Sequence, residues 1–319
     1  MIDNPYWGNS FFEFFATLVC RLYMYVTGAS MHLATDELQL LVLLFLSATA
    51  AMIGTFFVLR KMTMLANALS HTILPGVVLA YLSYHFYIGP KEAFDFSHLL
   101  PSDAFLIAGA LASAFVTTFL TRLVVSHLPI AEDASIGMVF TLLFAVGIIL
   151  VTTLTKSAHI GAELLMGNVD ALHIDDLKLM FWIFVANTAV MIIGWRRMFL
   201  TSFDPLFAKM CNISNEKISY LLMAQVSICA IGAFRAVGVL LFLAFLVTPP
   251  LLARRLTNKL TVMTLLSCLI AVGASFIGVA MSRHILTIYD LSCSTAGLIV
   301  TILATSYGLS LALIRPAKA

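Results

Sequence analysis

The residues best suited to chemistry lie in one run, Arg60-Lys61-Met62-Thr63-Met64-Leu65-Ala66-Asn67-Ala68-Leu69-Ser70-His71-Thr72-Ile73-Leu74-Pro75-Gly76. Asn67 and His71 are four apart, so on a helix they stack on one face, with Thr63 and Ser70 close to it. Pro75 has no N–H to give to the carbonyl of residue 71, so the helix is expected to bend there and leave that carbonyl free. Imidazole is a common neutral ligand for divalent transition metals. A polar stripe with a free carbonyl at membrane depth is expected to face a water-filled path or another subunit. A plainer reading stands beside it, in which His71 bonds to a neighbouring helix and the proline is a packing kink.

A second run, Arg235 to Leu241 continuing to Thr248-Pro249-Pro250-Leu251-Leu252-Ala253-Arg254-Arg255-Leu256-Thr257, reads as an apolar span that ends in a double proline, followed by a short basic helix. Either its arginines anchor a snorkelling helix end, or the helix docks into a cytoplasmic partner. Glu132 and Asp133 precede an apolar stretch, where carboxylates favour a helix's first turn. His85, His98, His159, Glu163, His173, Asp175, Asp176, His284 and Asp290 fall on the opposite face, either as solvated loop residues or as groups that meet a cation or a docking protein.

The elements that must carry these residues are apolar. Of 319 residues, 61% are hydrophobic and 11% charged, with a mean hydropathy of +1.02. A water-soluble enzyme would expose too much of that surface, and a net charge of +2 is too small for a nucleic-acid binder. Nine stretches read as spans, 38–59, 62–87, 104–125, 135–155, 177–195, 218–234, 236–252, 259–281 and 293–314. A tenth, 11–28, is interrupted by Glu13 and Arg21, and spanning or lying on the membrane are both open for it. Only Arg235 and its neighbours separate 218–234 from 236–252, so a tight turn or a broken helix is expected there.

With the link after 38–59 placed in the cytoplasm, cytoplasmic links hold Arg60, Lys61, Arg122, Arg196, Arg197, Lys209, Lys217, Arg254, Arg255, Lys259, Arg315 and Lys318, which is 12 of the 18 basic residues. That asymmetry is the positive-inside pattern and puts the C-terminus in the cytoplasm. No secretory signal is expected, since the first ten residues hold Asp3 and no basic residue. The link 156–176 is expected to form a short helix plus loop. Cys20, Cys211, Cys229, Cys268 and Cys293 have no metal-binding spacing, and most are expected to be small core residues. There is no G-x-x-x-x-G-K-[ST], H-E-x-x-H or G-x-S-x-G, so neither ATP hydrolysis nor a hydrolytic site is expected.

Together these runs resemble the permease subunits of ABC transporters for zinc, manganese and iron. Gly54 to Gly76 (GTFFVLRKMTMLANALSHTILPG) is similar to that family's most recognisable block. Glu132–Gly147, His159–Asp170 (HIGAELLMGNVD), Phe203-Asp204 and Val237–Leu256 resemble others, in collinear order. The resemblance implies a fold like the vitamin B12 importer permease. Two permeases, either copies or siblings, pair around a path, cytoplasmic ABC ATPase subunits drive them, and an extracytoplasmic metal-binding protein delivers the ion. It implies that His71 and the residue one turn earlier, Asn67, contact the metal, with Ser70, Pro75 and Gly76 shaping the path. It also implies that Pro250, Leu251, Ala253, Arg254, Arg255 and Leu256 belong to a coupling helix that docks in the ATPase groove. The family usually has Asp at the position of Asn67, and an amide oxygen is a weaker, uncharged ligand. Near 290–297 the family tends toward Asp-Leu-Pro-x-Gly, whereas this chain reads Asp290-Leu291-Ser292-Cys293-Ser294, and no role is assigned there.

The expectation is therefore an all-α polytopic membrane protein of about nine transmembrane helices. Residues 1–37 form an N-terminal extension and 38–319 a permease domain of a bacterial cytoplasmic membrane. It moves a divalent metal ion by alternating access, with no resident cofactor and with lipid but no nucleic acid as a partner. A secondary ion-coupled transporter or a multi-pass membrane enzyme is the alternative. The first is disfavoured by the lack of carboxylates deep in the spans, the second by the lack of a nucleophile or metal triad.

Overall fold

The structure is a computed structural model that describes residues 5–27, 33–88, 103–128, 131–155, 169–170 and 172–313. The side chains of Ser70, His85, Glu132, Asp133 and Arg235 lie outside the description, as do His98, His159, Glu163 and residues 156–168 of the 156–176 link. Every regular element among the described residues is an α-helix. In chain order these are α1 (Phe11–Val26), α2 (Thr35–Leu59), α3 (Thr63–Ile88), α4 (Asp103–His127), α5 (Glu132–Thr155), α6 (Ile174–Phe203), α7 (Pro205–Met210), α8 (Asn215–Ala236), α9 (Val239–Leu256), α10 (Leu260–Tyr289) and α11 (Thr295–Leu313). Seven of them, α2, α5, α6, α8, α9, α10 and α11, hold windows long and apolar enough to cross a membrane. Over the two other expected stretches, 62–87 and 104–125, the chain is helical for 26 and 25 residues.

Short polar signals set the helix ends. At the start of α1 the Ser10 N–H donates to Glu13 Oε2 at 2.8 Å, half of a capping box. Helix α2 ends with Lys61 in the left-handed region (φ 58°) and the Met62 N–H on the Phe57 carbonyl at 2.9 Å, a Schellman close. Asp204 caps α7, its Oδ1 accepting from Leu206 N at 3.1 Å and Phe207 N at 2.9 Å. Between α8 and α9 lie only Val237 and Gly238, and Gly238 takes φ 84°, which its missing Cβ permits. The expected break near Arg235 is therefore a two-residue one.

One expectation is overturned at Pro249-Pro250. These prolines do not end the span, because α9 runs through both and continues to Leu256. In water an interior proline costs about 3 kcal/mol. Here both rings are buried, in a setting where interior prolines are better tolerated than in water. The cysteine expectation also fails, since only Cys229 is buried while Cys20, Cys211 and Cys293 are exposed. Cys20 sits on the outer face of α1, and the other two lie between helices, so an apolar neighbourhood in sequence did not mean burial.

The chain separates into two compact units, with boundaries inside α2 and α6. The first comprises residues 1–55, 168–185 and 236–319. In it α9, α10 and α11 pack on one another and α1 packs on α10. A Cβ on Gly278 of α10 would lie 2.3 Å from Ile299 Cγ1 of α11, so a larger residue there must shift that side chain or the crossing. Two carboxylates at the start of α2 are buried, Asp36 and Glu37. Asp36 is held by Arg283 of α10, whose Nε lies 2.7 Å away. Glu37 is held by Arg21 of α1 and by the hydroxyls of Tyr6 (2.9 Å) and Tyr25 (2.8 Å). Burial and the Glu37 carboxylate push the Tyr6 hydroxyl pKa well up, so it stays a donor.

The second unit comprises residues 56–167 and 186–235, in which α3, α4 and α5 pack against one another. Arg122 of α4 pairs with Glu216 of α8 at 3.0 Å and lies 4.9 Å from the Tyr220 ring centroid. Arg60 donates to Ser219 Oγ at 2.8 Å and to the Asn215 carbonyl at 3.3 Å. The hydroxyls of Thr117, Thr118 and Thr121 in α4 are buried, and each bonds to a carbonyl one turn back. That is how hydroxyl side chains are tolerated in an apolar helix bundle.

Candidate functional site

Two faces of α3 are covered by neighbouring helices. Thr72, Gly76 and Ala80 recur every fourth residue and are all buried against α4. There Ser113 Oγ donates to the Thr72 carbonyl, and the Thr72 and Thr117 hydroxyl oxygens lie 2.9 Å apart. Gly76 and Gly109 meet backbone to backbone. A Cβ on Gly109 would lie 2.5 Å from the Gly76 oxygen and 2.6 Å from Ala80 Cβ, so any larger residue forces the helices apart. The fourfold spacing of Gly109, Ser113 and Thr117 on α4 is the matching small-residue stripe, a signal the sequence offered and a hydropathy reading passes over.

The second covered face of α3 carries His71. Its ring centroid lies 5.4 Å from that of Phe140 and 5.6 Å from that of Phe144, which sit one turn apart on α5. The residue is half-buried, and Nδ1 is closed off from solvent with no hydrogen-bond partner. An orphaned buried nitrogen costs about 1–3 kcal/mol. Pro75 adds to the local deficit, because its missing N–H leaves the His71 carbonyl without its helical donor. Helix α3 nevertheless continues through Pro75 without a break.

The structure thus keeps Asn67 and His71 on consecutive turns, with Asn67 exposed, and buries Pro75 and Gly76 in the packing of α3. Ser70 lies on α3, with its side chain outside the described residues. Among the described residues no group of three His, Cys, Asp or Glu side chains could hold a metal ion.

The other candidate region is the end of α9. Pro250 withholds the N–H that the Leu246 carbonyl would accept, and that oxygen lies against Gly54 of α2. Pro250 and Ala253 are buried and Leu251 is half-buried, whereas Arg254 and Leu256 are exposed. The two arginines separate. Arg255 turns inward, and its Nη2 donates to the Ser310 carbonyl of α11 at 3.2 Å, while Arg254 is presented outward. Of the opposite-face candidates, Asp176 is buried and caps α6, its Oδ2 accepting from His173 N at 2.9 Å. Asp175 is exposed and pairs with Lys178 at 3.0 Å. His284 Nδ1 accepts from Phe11 N at 3.2 Å, and Asp290 ends α10 in the left-handed region (φ 53°). These four serve helix ends and packing.

Residues 37–314 match the ABC 3 transport family. The chain is 38% identical over 306 residues to a probable metal transport system membrane protein of Chlamydia pneumoniae, covering 95% of this chain and 90% of that protein. It is 32% identical over 258 residues to the manganese transport system membrane protein MntC of Halalkalibacterium halodurans, covering 81% and 80%. Among solved structures it resembles a chain of PsaBC from Streptococcus pneumoniae in complex with Fab, with a TM-score of 0.70, 25% identity, and 86% and 90% of the two chains covered. Helices, packing and sequence agree on one conclusion, that the chain belongs to the ABC 3 transport family.

Proposed function

We propose that this protein is the membrane-spanning permease subunit of an ABC importer that carries a divalent transition-metal ion inward by alternating access. The observation that carries the reading is the family match over residues 37–314. Similar proteins bear the names of metal and manganese transport system membrane proteins, which favours manganese among the metals that His71 and Asn67 could bind. ATP hydrolysis belongs to separate cytoplasmic subunits, which α9 meets through its exposed end at Arg254 and Leu256. The ion arrives from an extracytoplasmic binding protein and passes His71 and Asn67 on α3. A second permease, a copy or a sibling, completes the path, and the C-terminus lies in the cytoplasm of a bacterial cell. The grouping of Arg60, Arg122 and Glu216 at the α2, α4 and α8 ends supports a common inner face for those ends.

The test is uptake of radioactive manganese into proteoliposomes that hold the permease, its ATPase and its binding protein. Uptake should require ATP and stop when the ATPase cannot hydrolyse it. Uptake driven instead by a proton or sodium gradient, without ATP, would make the protein a secondary transporter. In the same assembly Arg254→Glu should weaken co-purification of the ATPase at least about tenfold, because it reverses the charge that the exposed end of α9 presents. If Arg254→Glu retains the ATPase fully, α9 is not the coupling element.

A further inference from the structure

The cytoplasmic end of α6 carries a feature that the transport path does not use. Trp195, Arg196, Phe199 and Leu200 line a groove of about 390 Å³ on the helix surface. The apolar surface continues beyond it through Phe203, Leu206 and Met210, which are 53%, 76% and 86% exposed. In α7 only Ala208 is buried, so that helix presents apolar side chains outward on nearly every side.

Length fixes the depth of this groove. Trp195 stands 20 residues after Asp175 along the one helix α6, a rise of about 30 Å, which matches the hydrocarbon thickness of a bilayer. With the Asp175–Lys178 pair in water at one end, Trp195 and Arg196 fall at headgroup level on the other. Tryptophan and arginine are the residues that settle there. Charge adds the sign. Between residues 186 and 215 the chain holds Arg196, Arg197 and Lys209 against the single acid Asp204, whose Oδ1 is occupied in capping α7. The surface is therefore apolar where an acyl chain would lie and cationic where a phosphate would lie.

We propose that this groove binds an anionic phospholipid of the cytoplasmic leaflet, with its acyl chain along Trp195, Phe199 and Leu200 and its phosphate on Arg196. Bound there, the lipid anchors the α6–α7 corner in the membrane surface. A zwitterionic lipid fills the same apolar groove but lacks the net negative charge that Arg196 attracts.

The chain has three tryptophans, so Trp7→Phe with Trp182→Phe leaves Trp195 as the sole reporter. That variant is reconstituted in phosphatidylcholine bilayers containing small amounts of either phosphatidylglycerol or phosphatidylcholine with brominated acyl chains, which quench indole fluorescence on contact. Quenching should favour phosphatidylglycerol about fivefold, the preference expected for one basic residue at the surface. Arg196→Gln should bring the two lipids to parity, and Arg197→Gln, which lies outside the groove, should keep most of the preference. Equal quenching by both lipids before any change at Arg196, or a preference that survives Arg196→Gln, overturns the proposal. So does a preference that vanishes when the ATPase is bound, since a protein would then cover the groove.

Discussion

Replacing Arg21 by alanine should lower the thermal midpoint of the detergent-purified protein by roughly 6–12 °C. Glu37 is 5% exposed, and its carboxylate collects Arg21, Tyr6, Tyr25 and the Ala34 N–H at 2.9 Å. Arg21 supplies the only opposite charge within hydrogen-bond reach among those donors. Removing one partner of a buried pair leaves a charge without compensation, which costs about 3–5 kcal/mol. Adding Glu37→Gln to Arg21→Ala should recover much of the loss, because the amide needs no counter-ion. A midpoint for Arg21→Ala within a degree of the parent, or no recovery in the double variant, would remove the ion pair from the account. Glu37 is the first residue of the family match, whereas Arg21, Tyr6 and Tyr25 precede it. The segment outside the match thus neutralises the first carboxylate inside it.

Gly54→Val should be nearly as damaging, by about 3 kcal/mol, the upper part of the range for overpacked cores. A Cβ at residue 54 would lie 2.8 Å from the Leu246 carbonyl carbon and closer to its oxygen. Both partners are backbone, so no side-chain rotation relieves the clash, and α2 must move off α9. Pro250 has no N–H to donate to that oxygen. Pro250→Ala should restore the helical N–H, draw the carbonyl back and make Gly54→Val less costly. A double-mutant cycle on thermal midpoints reads this coupling directly. Strict additivity of the two substitutions would show that Pro250 and Gly54 are independent.

Most of the helices were legible because lipid imposes a simple rule, that a spanning segment must be apolar for about 20 residues. That Asn67 and His71 fall on consecutive turns of one helix was legible for a similar reason, since spacing on a helix is fixed. What escaped the reading depends on chain segments far apart. The Arg283–Asp36 and Arg21–Glu37 pairs join positions 247 and 16 residues apart, and nothing local at either end announces its partner. The seam of Gly76 on Gly109 was missed because glycine, serine and threonine are neutral in hydropathy, although small residues set how closely helices approach in a membrane. The double proline misled because its helix-breaking cost is learned from water, whereas α9 buries Pro249 and Pro250. Arg254 and Arg255 looked equivalent in sequence, yet one helix step sends the second to the Ser310 carbonyl.

The central claim is that the His71 imidazole touches the transported ion. Manganese(II) is paramagnetic, so pulsed electron paramagnetic resonance can detect a nitrogen bound to it. The complex of permease, ATPase and binding protein, trapped with manganese inside the permease, should give electron spin-echo modulation characteristic of one histidine nitrogen, and His71→Ala should abolish it while manganese remains detectable. A spectrum without nitrogen coupling, or one unchanged in His71→Ala, would contradict the account.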